Sequence, residues 1–217
     1  MASNEKGNME KVLRDVMDRF TSIEAEDIPK IELYMDQVLT FMQENLAHTS
    51  RNPGEDKILT KAMINNYVKN KVLIPPVKKK YGVDHMLLLI FIYYLKSSLS
   101  IDDIRKIIAP VAVRYAQTPP GKGGEKNQPQ EERRQGARIT IPEIYTKVFE
   151  DVGAHTADFS AEMEALIRDT EHSFDDEGLT GRERELLRRF DLICQLAADI
   201  YIRKLYIEKL LDSDKTT

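Results

Sequence analysis

Residues Leu59–Ala109 read LTKAMINNYVKNKVLIPPVKKKYGVDHMLLLIFIYYLKSSLSIDDIRKIIA, and the fold is decided within them. Thr60 is an N-cap residue type, standing ahead of a short helix expected over Lys61–Lys71. Pro75-Pro76 forbids any continuation of that helix, because proline has no N–H to donate and restricts the residue before it. Val77–Tyr81 is short, basic and extended. Asp84 then opens a helix over Met86–Leu95 that is apolar on every side, which makes it the buried hub of its domain. Ser100 and Asp103 have the form of a capping box and start a helix at Ile101 that runs to Ile108. Pro110 stands where that helix would end, although the apolar pattern continues through Val113.

On the N-terminal side, Met9, Val12, Leu13, Val16, Met17 and Phe20 recur at spacings of three and four and share one helix face. Asp27 is placed to cap a second helix, with Pro29 near its first turn. Its stripe is Ile31, Tyr34, Met35, Val38, Leu39, Met42 and Leu46. His48–Asp56 is a loop marked by Pro53-Gly54. On the C-terminal side, Gln117–Arg138 holds no large apolar residue and reads as a linker or loop that cannot bury enough surface to order itself. Thr140 and Pro142 begin a helix to Val152, and a further helical segment covers Asp158–His172. Thr180 with Glu183 caps a long last helix, Arg182–Leu211. Its near-heptad stripe is Leu186, Phe190, Ile193, Ala197, Ile200, Ile207 and Leu211, interrupted by Lys204. A helix this apolar has to be covered by its own domain or by a second subunit. The expected fold class is therefore all-α. Its parts are an N-terminal helix (1–26), a helical domain (27–115), a linker (116–138) and a C-terminal helical region (139–217) with the long last helix.

Net charge is −4, but it is unevenly spread. Lys57–Lys80 contains seven lysines and no acid, so the rest of the chain carries −11, the difference between −4 and +7. One basic segment in an acidic protein is a local electrostatic footprint. No apolar stretch is long enough to span a membrane, and the first residues, MASNEKGNMEKV, carry no apolar run of a secretory signal. Cytoplasmic residence is the expectation. The single cysteine, Cys194, permits no intrachain disulfide and reads as a buried, inert thiol.

The Leu59–Ala109 stretch resembles the DNA-binding domain of MerR-type winged helix-turn-helix regulators. The corresponding parts are a recognition helix with a Pro-Pro stop (MINNYVKNKVLIPP), a basic wing (VKKKYG), an apolar helix (DHMLLLIFIYYLK) and a capped helix (LSIDDIRKII). IPKIELYMDQVLTFM and LTKAMINNYVKN are also similar to a bacterial family known only as a domain of unknown function. The MerR resemblance implies a protein that binds double-stranded DNA and regulates transcription. Lys61–Lys71 would enter the major groove, with Ile31–Leu46 as the first helix of the motif. Ile64, Tyr67 and Val68 would face inward, and Lys61, Asn65, Asn66, Lys69 and Asn70 outward. Asn suits the paired donor and acceptor of adenine, and Lys suits guanine or phosphate. Lys78, Lys79 and Lys80 would meet backbone phosphates. The resemblance further implies a homodimer, with residues 139–217 as the dimerisation or sensor region and a small-molecule effector left unnamed. The chain departs from the family where Asn65 and Asn66 replace an Arg and a Tyr, in the long connection Ala47–Leu59, and in the shortness of the wing.

The other reading of the same lysines is a protein-interaction module, derived from a helix-turn-helix, that binds an acidic partner without DNA. An enzyme is not expected. His48, His85, His155 and His172 stand far apart with no neighbouring cysteine, so no metal or cofactor site is drawn from them. Pro119–Gly124 has neither the spacing nor the setting of a P-loop. Tyr67 and Tyr81 read as packing residues.

Overall fold

The computed structural model describes residues 2–20, 22–117, 139–175 and 178–213. The chain is mostly helical and falls into two compact units, one of Ser22–Glu150 and one of Met1–Thr21 with Asp151–Thr217. Most of the expected linker, from residue 118 to residue 138, lies outside the described residues.

Within Ser22–Glu150 the chain begins extended. A single 3-10 turn at Ala25–Asp27 is followed by β1 (Leu33–Tyr34) and α1 (Met35–Leu46). The expected helix starting after Asp27 is corrected here. Pro29 and the extended Ile28 backbone stop it, and Asp27 caps nothing. Leu33 is buried and Tyr34 exposed, the alternation of a strand, and Ile31 before them is exposed, so these residues do not form a helical stripe. The first helix of this unit is therefore Met35–Leu46, with Val38, Met42 and Leu46 fully buried. Then come α2 (Lys61–Lys69), β2 (Lys80–Tyr81), α3 (Val83–Leu95) and α4 (Ile101–Tyr115). β1 and β2 pair antiparallel, with Leu33 opposite Tyr81 and Tyr34 opposite Lys80.

Helix α3 is the hub. Met86, Leu87, Leu88, Leu89, Ile90 and Ile92 have no exposed surface. Each such side chain contributes about 1.5–3 kcal/mol through removal from water. Helix α4 passes through Pro110 to Tyr115, with Ile108 and Ala112 buried on either side of the proline, although Val113 is exposed. Ser100 caps it, accepting from the Asp103 N–H at 3.2 Å. The Asp84 carboxylate is buried at the start of α3 and accepts from the Gln117 N–H at 2.7 Å, which ties down the chain after α4.

The next helix, α5 (Ile141–Thr170), is one element of 30 residues where two segments were expected. Gly153 lies within it, and a lone glycine costs only about 1 kcal/mol in a helix interior, too little to break it. Residues 141–150 belong to the same unit as α3. Tyr145 is buried and its hydroxyl donates to the Ile23 carbonyl at 2.6 Å. Burial holds that phenol well above its ordinary pKa, and pushes Tyr94 up to about 12. Phe91, Tyr94, Tyr145 and Phe149 form one aromatic cluster, with centroids 4.4–5.7 Å apart.

The other unit holds an N-terminal helix, Ala2–Arg19, the remainder of α5, and α6 (Gly181–Ser213). Its core is small: Leu13, Ile167 and Leu192, with Met9, Met17, Met163, Leu166 and Leu196 packed around them. Thr180 and Glu183 form the expected reciprocal cap of α6, at 2.9 and 3.3 Å. Cys194 is exposed, which corrects the expectation of a buried thiol, because the apolar side of α6 on which it lies is not covered.

Candidate nucleic-acid interface

Helix α2 presents two faces. Ile64 and Tyr67 are buried and Val68 is half-buried, while Lys61, Asn65, Asn66 and Lys69 are exposed. Thr60 caps it, accepting from the Met63 N–H at 3.2 Å. The helix ends two residues before the expected Lys71, and Asn70 is its C-cap. Lys71 follows with φ 57°, the Lys71 N–H bonds the Val68 carbonyl, and the Val72 N–H bonds the Tyr67 carbonyl. This is a Schellman closure, whose left-handed position glycine normally takes.

The hairpin at Val77–Lys80 repeats that choice. Val77 and Lys80 exchange backbone hydrogen bonds at 2.9 and 3.2 Å around a two-residue tip, Lys78-Lys79. Their φ angles are 50° and 65°, the positive pair that a type I′ turn demands and that Asn-Gly ordinarily supplies. Lys71, Lys78 and Lys79 are thus three of the four non-glycine residues at positive φ among the described residues. Each costs about 1 kcal/mol or more relative to glycine.

The eight basic and amide side chains singled out from the sequence have unequal freedom. Lys61 pairs with Asp36 at 2.6 Å, and Lys80 is half-buried, 3.6 Å from Glu32 and over the Tyr34 ring at 5.6 Å. Both ion pairs are solvent-exposed and worth only about 0–1 kcal/mol, so a phosphate can exchange with the carboxylate. The Asn70 amide donates to the Asn66 side-chain oxygen at 2.8 Å and to the Asn66 carbonyl at 2.9 Å, so these two amides act as a unit. Asn65, Lys69, Lys78 and Lys79 are exposed and make no side-chain hydrogen bond or ion pair among the described residues.

Three supports hold this surface, and sequence reading missed all of them. The long connection after α1 is pinned from both sides. Gln43 accepts from the Ile58 N–H at 3.1 Å and donates to the Asp56 carbonyl at 3.2 Å, and Lys96 donates to the Ile58 carbonyl at 2.7 Å. Burial lowers the Lys96 pKa. Gly54 turns this connection at φ 100°, where a side chain would be strained. The Thr49 and Tyr93 hydroxyls also bond to each other. The Val77–Lys80 hairpin is fastened at its base by His85, which has no exposed surface. Its Nδ1 accepts from the Gly82 N–H at 3.2 Å, and its Nε2 lies 3.3 Å from the Pro75 carbonyl, to which it donates as the neutral ring. Tyr81 packs edge-on against the ring at 5.4 Å. Burial is the dominant influence on His85 and lowers its pKa.

Among the described residues no three His, Cys, Asp or Glu side chains are grouped to hold a metal ion, and no helix is long and apolar enough to cross a membrane. Residues 23–121 match the family model of a domain of unknown function (DUF1836), which spans α1–α4 and the whole basic surface. No curated protein and no solved structure matches the chain.

Proposed function

We propose that the Ser22–Glu150 unit binds double-stranded DNA as a winged helix-turn-helix of the MerR kind, and that the protein regulates transcription. In this reading α2 lies in the major groove and the Lys78-Lys79 tip lies on the phosphate backbone. Asn65 is the principal base reader, since its amide is uncommitted. Asn66 and Asn70 act as a linked pair, Lys61 and Lys69 serve bases or phosphates, and Lys80 contributes least.

One observation carries the reading. Lysine occupies three left-handed positions, 71, 78 and 79, where glycine or asparagine would hold the backbone at lower cost. Local strain that a charged side chain maintains at the rim of a helix and at a hairpin tip is accounted for by a polyanion that both ends contact.

The test is selection from a random duplex pool at two salt concentrations. The expected result is an enriched site that is lost in a Lys78→Ala/Lys79→Ala/Lys80→Ala variant. The acidic-partner reading draws on the Asn66–Asn70 and Lys61–Asp36 pairings, which leave fewer groups free to read bases. It predicts salt-sensitive binding with no enriched sequence.

A further inference from the structure

One imidazole holds the basic hairpin at both ends. The segment from Pro75 to Gly82 turns at Lys78-Lys79 and leads into α3. The Gly82 N–H donates to His85 Nδ1, and the Pro75 carbonyl lies against His85 Nε2, so the ring bridges the two ends of the segment. The backbone ties of the hairpin are short. They are two ladder pairs, Leu33 with Tyr81 and Tyr34 with Lys80, and the Val77–Lys80 bridge. A two-stranded ribbon of this size is marginal by itself in water, and this one carries positive φ at both tip residues.

We infer that His85 is a proton-operated latch on this hairpin: gain of a second ring proton releases the Pro75–Gly82 segment and withdraws Lys78 and Lys79 from a bound polyanion. The effect on binding rests on the DNA reading, whereas the latch itself does not. The neutral ring has one donor and one acceptor, and the site uses both. The imidazolium has two donors. Its Nδ1–H would face the Gly82 N–H, so that bond is lost and a donor is left unsatisfied, while the bond to Pro75 survives. Protonation thus unfastens the end of the hairpin that enters α3. Water does not reach the new charge, because the ring has no exposed surface. His85 also lies in the first turn of α3, where the unsatisfied N–H groups of the helix disfavour a cation.

Two carboxylates act in the opposite direction. Asp84, beside His85 on α3, accepts from the Gln117 N–H at 2.7 Å, and Glu32, ahead of β1, lies 3.6 Å from Lys80 of β2. Tyr81 of β2 meets the ring edge-on as a neutral phenol, its own pKa raised by burial. Burial of the ring outweighs the Pro75 and Ile74 backbone and both carboxylates, and holds His85 below the ordinary 6.5. In the open hairpin the ring regains its ordinary value. Each pH unit between the two values therefore favours opening by about tenfold.

The experiment is an NMR titration of the full wild-type chain from pH 7.5 to 4.5 without DNA, followed by duplex affinity over the same range at constant salt. His85 should titrate below 6.5, and the Gly82 and Lys80 amide signals should move with the same midpoint while helical circular dichroism holds. One pH unit below that midpoint, duplex Kd should rise by about tenfold, since affinity scales with the closed fraction. The direction is diagnostic, because acidification otherwise makes the chain more positive and strengthens its hold on a polyanion. His85→Gln keeps a donor and an acceptor but has no proton to gain, and should show neither change. Three results would overturn the latch: no titration of His85 above pH 4.5, Gly82 and Lys80 signals that ignore it, or release of the hairpin only together with loss of helix. Duplex affinity that rises steadily with acid would overturn it as well. Absence of duplex binding at every pH, with the NMR transition intact, would strike the DNA reading and uphold the latch.

Discussion

Helices α3 and α6 are both apolar on more than one face, yet they have opposite fates. In α3 the run from Met86 to Ile90 has no exposed surface, because α4, the small sheet and the Tyr145–Phe149 aromatics surround it. In α6, Leu186, Phe190, Ile193, Ile200, Ile202 and Tyr206 are more than half exposed. The difference shows that apolar content alone does not say what covers a helix. A short, continuously apolar helix is closed over by its own unit. A long helix whose apolar stripe its own unit leaves uncovered shows that face to solvent.

The largest expected effect is on the buried side of this comparison. Leu88→Ala in α3 should destabilise the chain by about 2–5 kcal/mol, whereas Ile200→Ala should alter the stability of the monomeric chain by less than about 0.5 kcal/mol. Urea unfolding at low protein concentration checks both, and similar losses at the two sites would break the comparison. Next comes Asn65→Ala, on a surface carried by the complete core. It should leave stability unchanged and relax preference at one base position by about 1–3 kcal/mol in a duplex competition assay.

The strained lysines give a smaller effect of opposite sign in two measurements. Lys78→Asn/Lys79→Gly should stabilise the fold by about 1 kcal/mol, because the tip then holds residues suited to positive φ. The same change should weaken duplex binding. A variant that gains stability and keeps full affinity would remove the reason for lysine at the tip.

The smallest effect concerns pH. His85 is buried as the neutral ring and its pKa is lowered from 6.5. The unfolded chain therefore binds the extra proton first as pH falls. The contribution from His85 is fully present above pH 6.5 and is lost as pH drops from there toward the lowered folded value. The melting temperature should fall between pH 7.5 and 5.5 by more in the wild type than in His85→Gln. Identical pH profiles would remove His85 as the clamp of the Val77–Lys80 hairpin.

What was legible in the sequence was local. The caps at Thr60, Ser100 and Thr180 depend on residues three apart, and all three form. The inward Ile64 and Tyr67 and the outward Asn65 and Asn66 follow from helical period alone. What was missed depends on contacts distant in sequence. Leu33–Tyr34 is too short to read as a strand without Lys80–Tyr81 to pair it, so its apolar residues were absorbed into the following helix. The His85 bridge, the Gln43 clamp and the left-handed lysines exist only once the chain has closed around them. Cys194 was misjudged because exposure on α6 depends on what packs there, which residue types do not state.

The most direct test of the central claim is the salt dependence of duplex affinity for the wild type and for Lys78→Ala/Lys79→Ala. Each phosphate contact contributes about −0.9 to the slope of log K against log salt, so the account predicts a steep wild-type slope that becomes shallower by about 2 in the variant. A flat wild-type dependence, or a slope unchanged by removing both tip lysines, would contradict it.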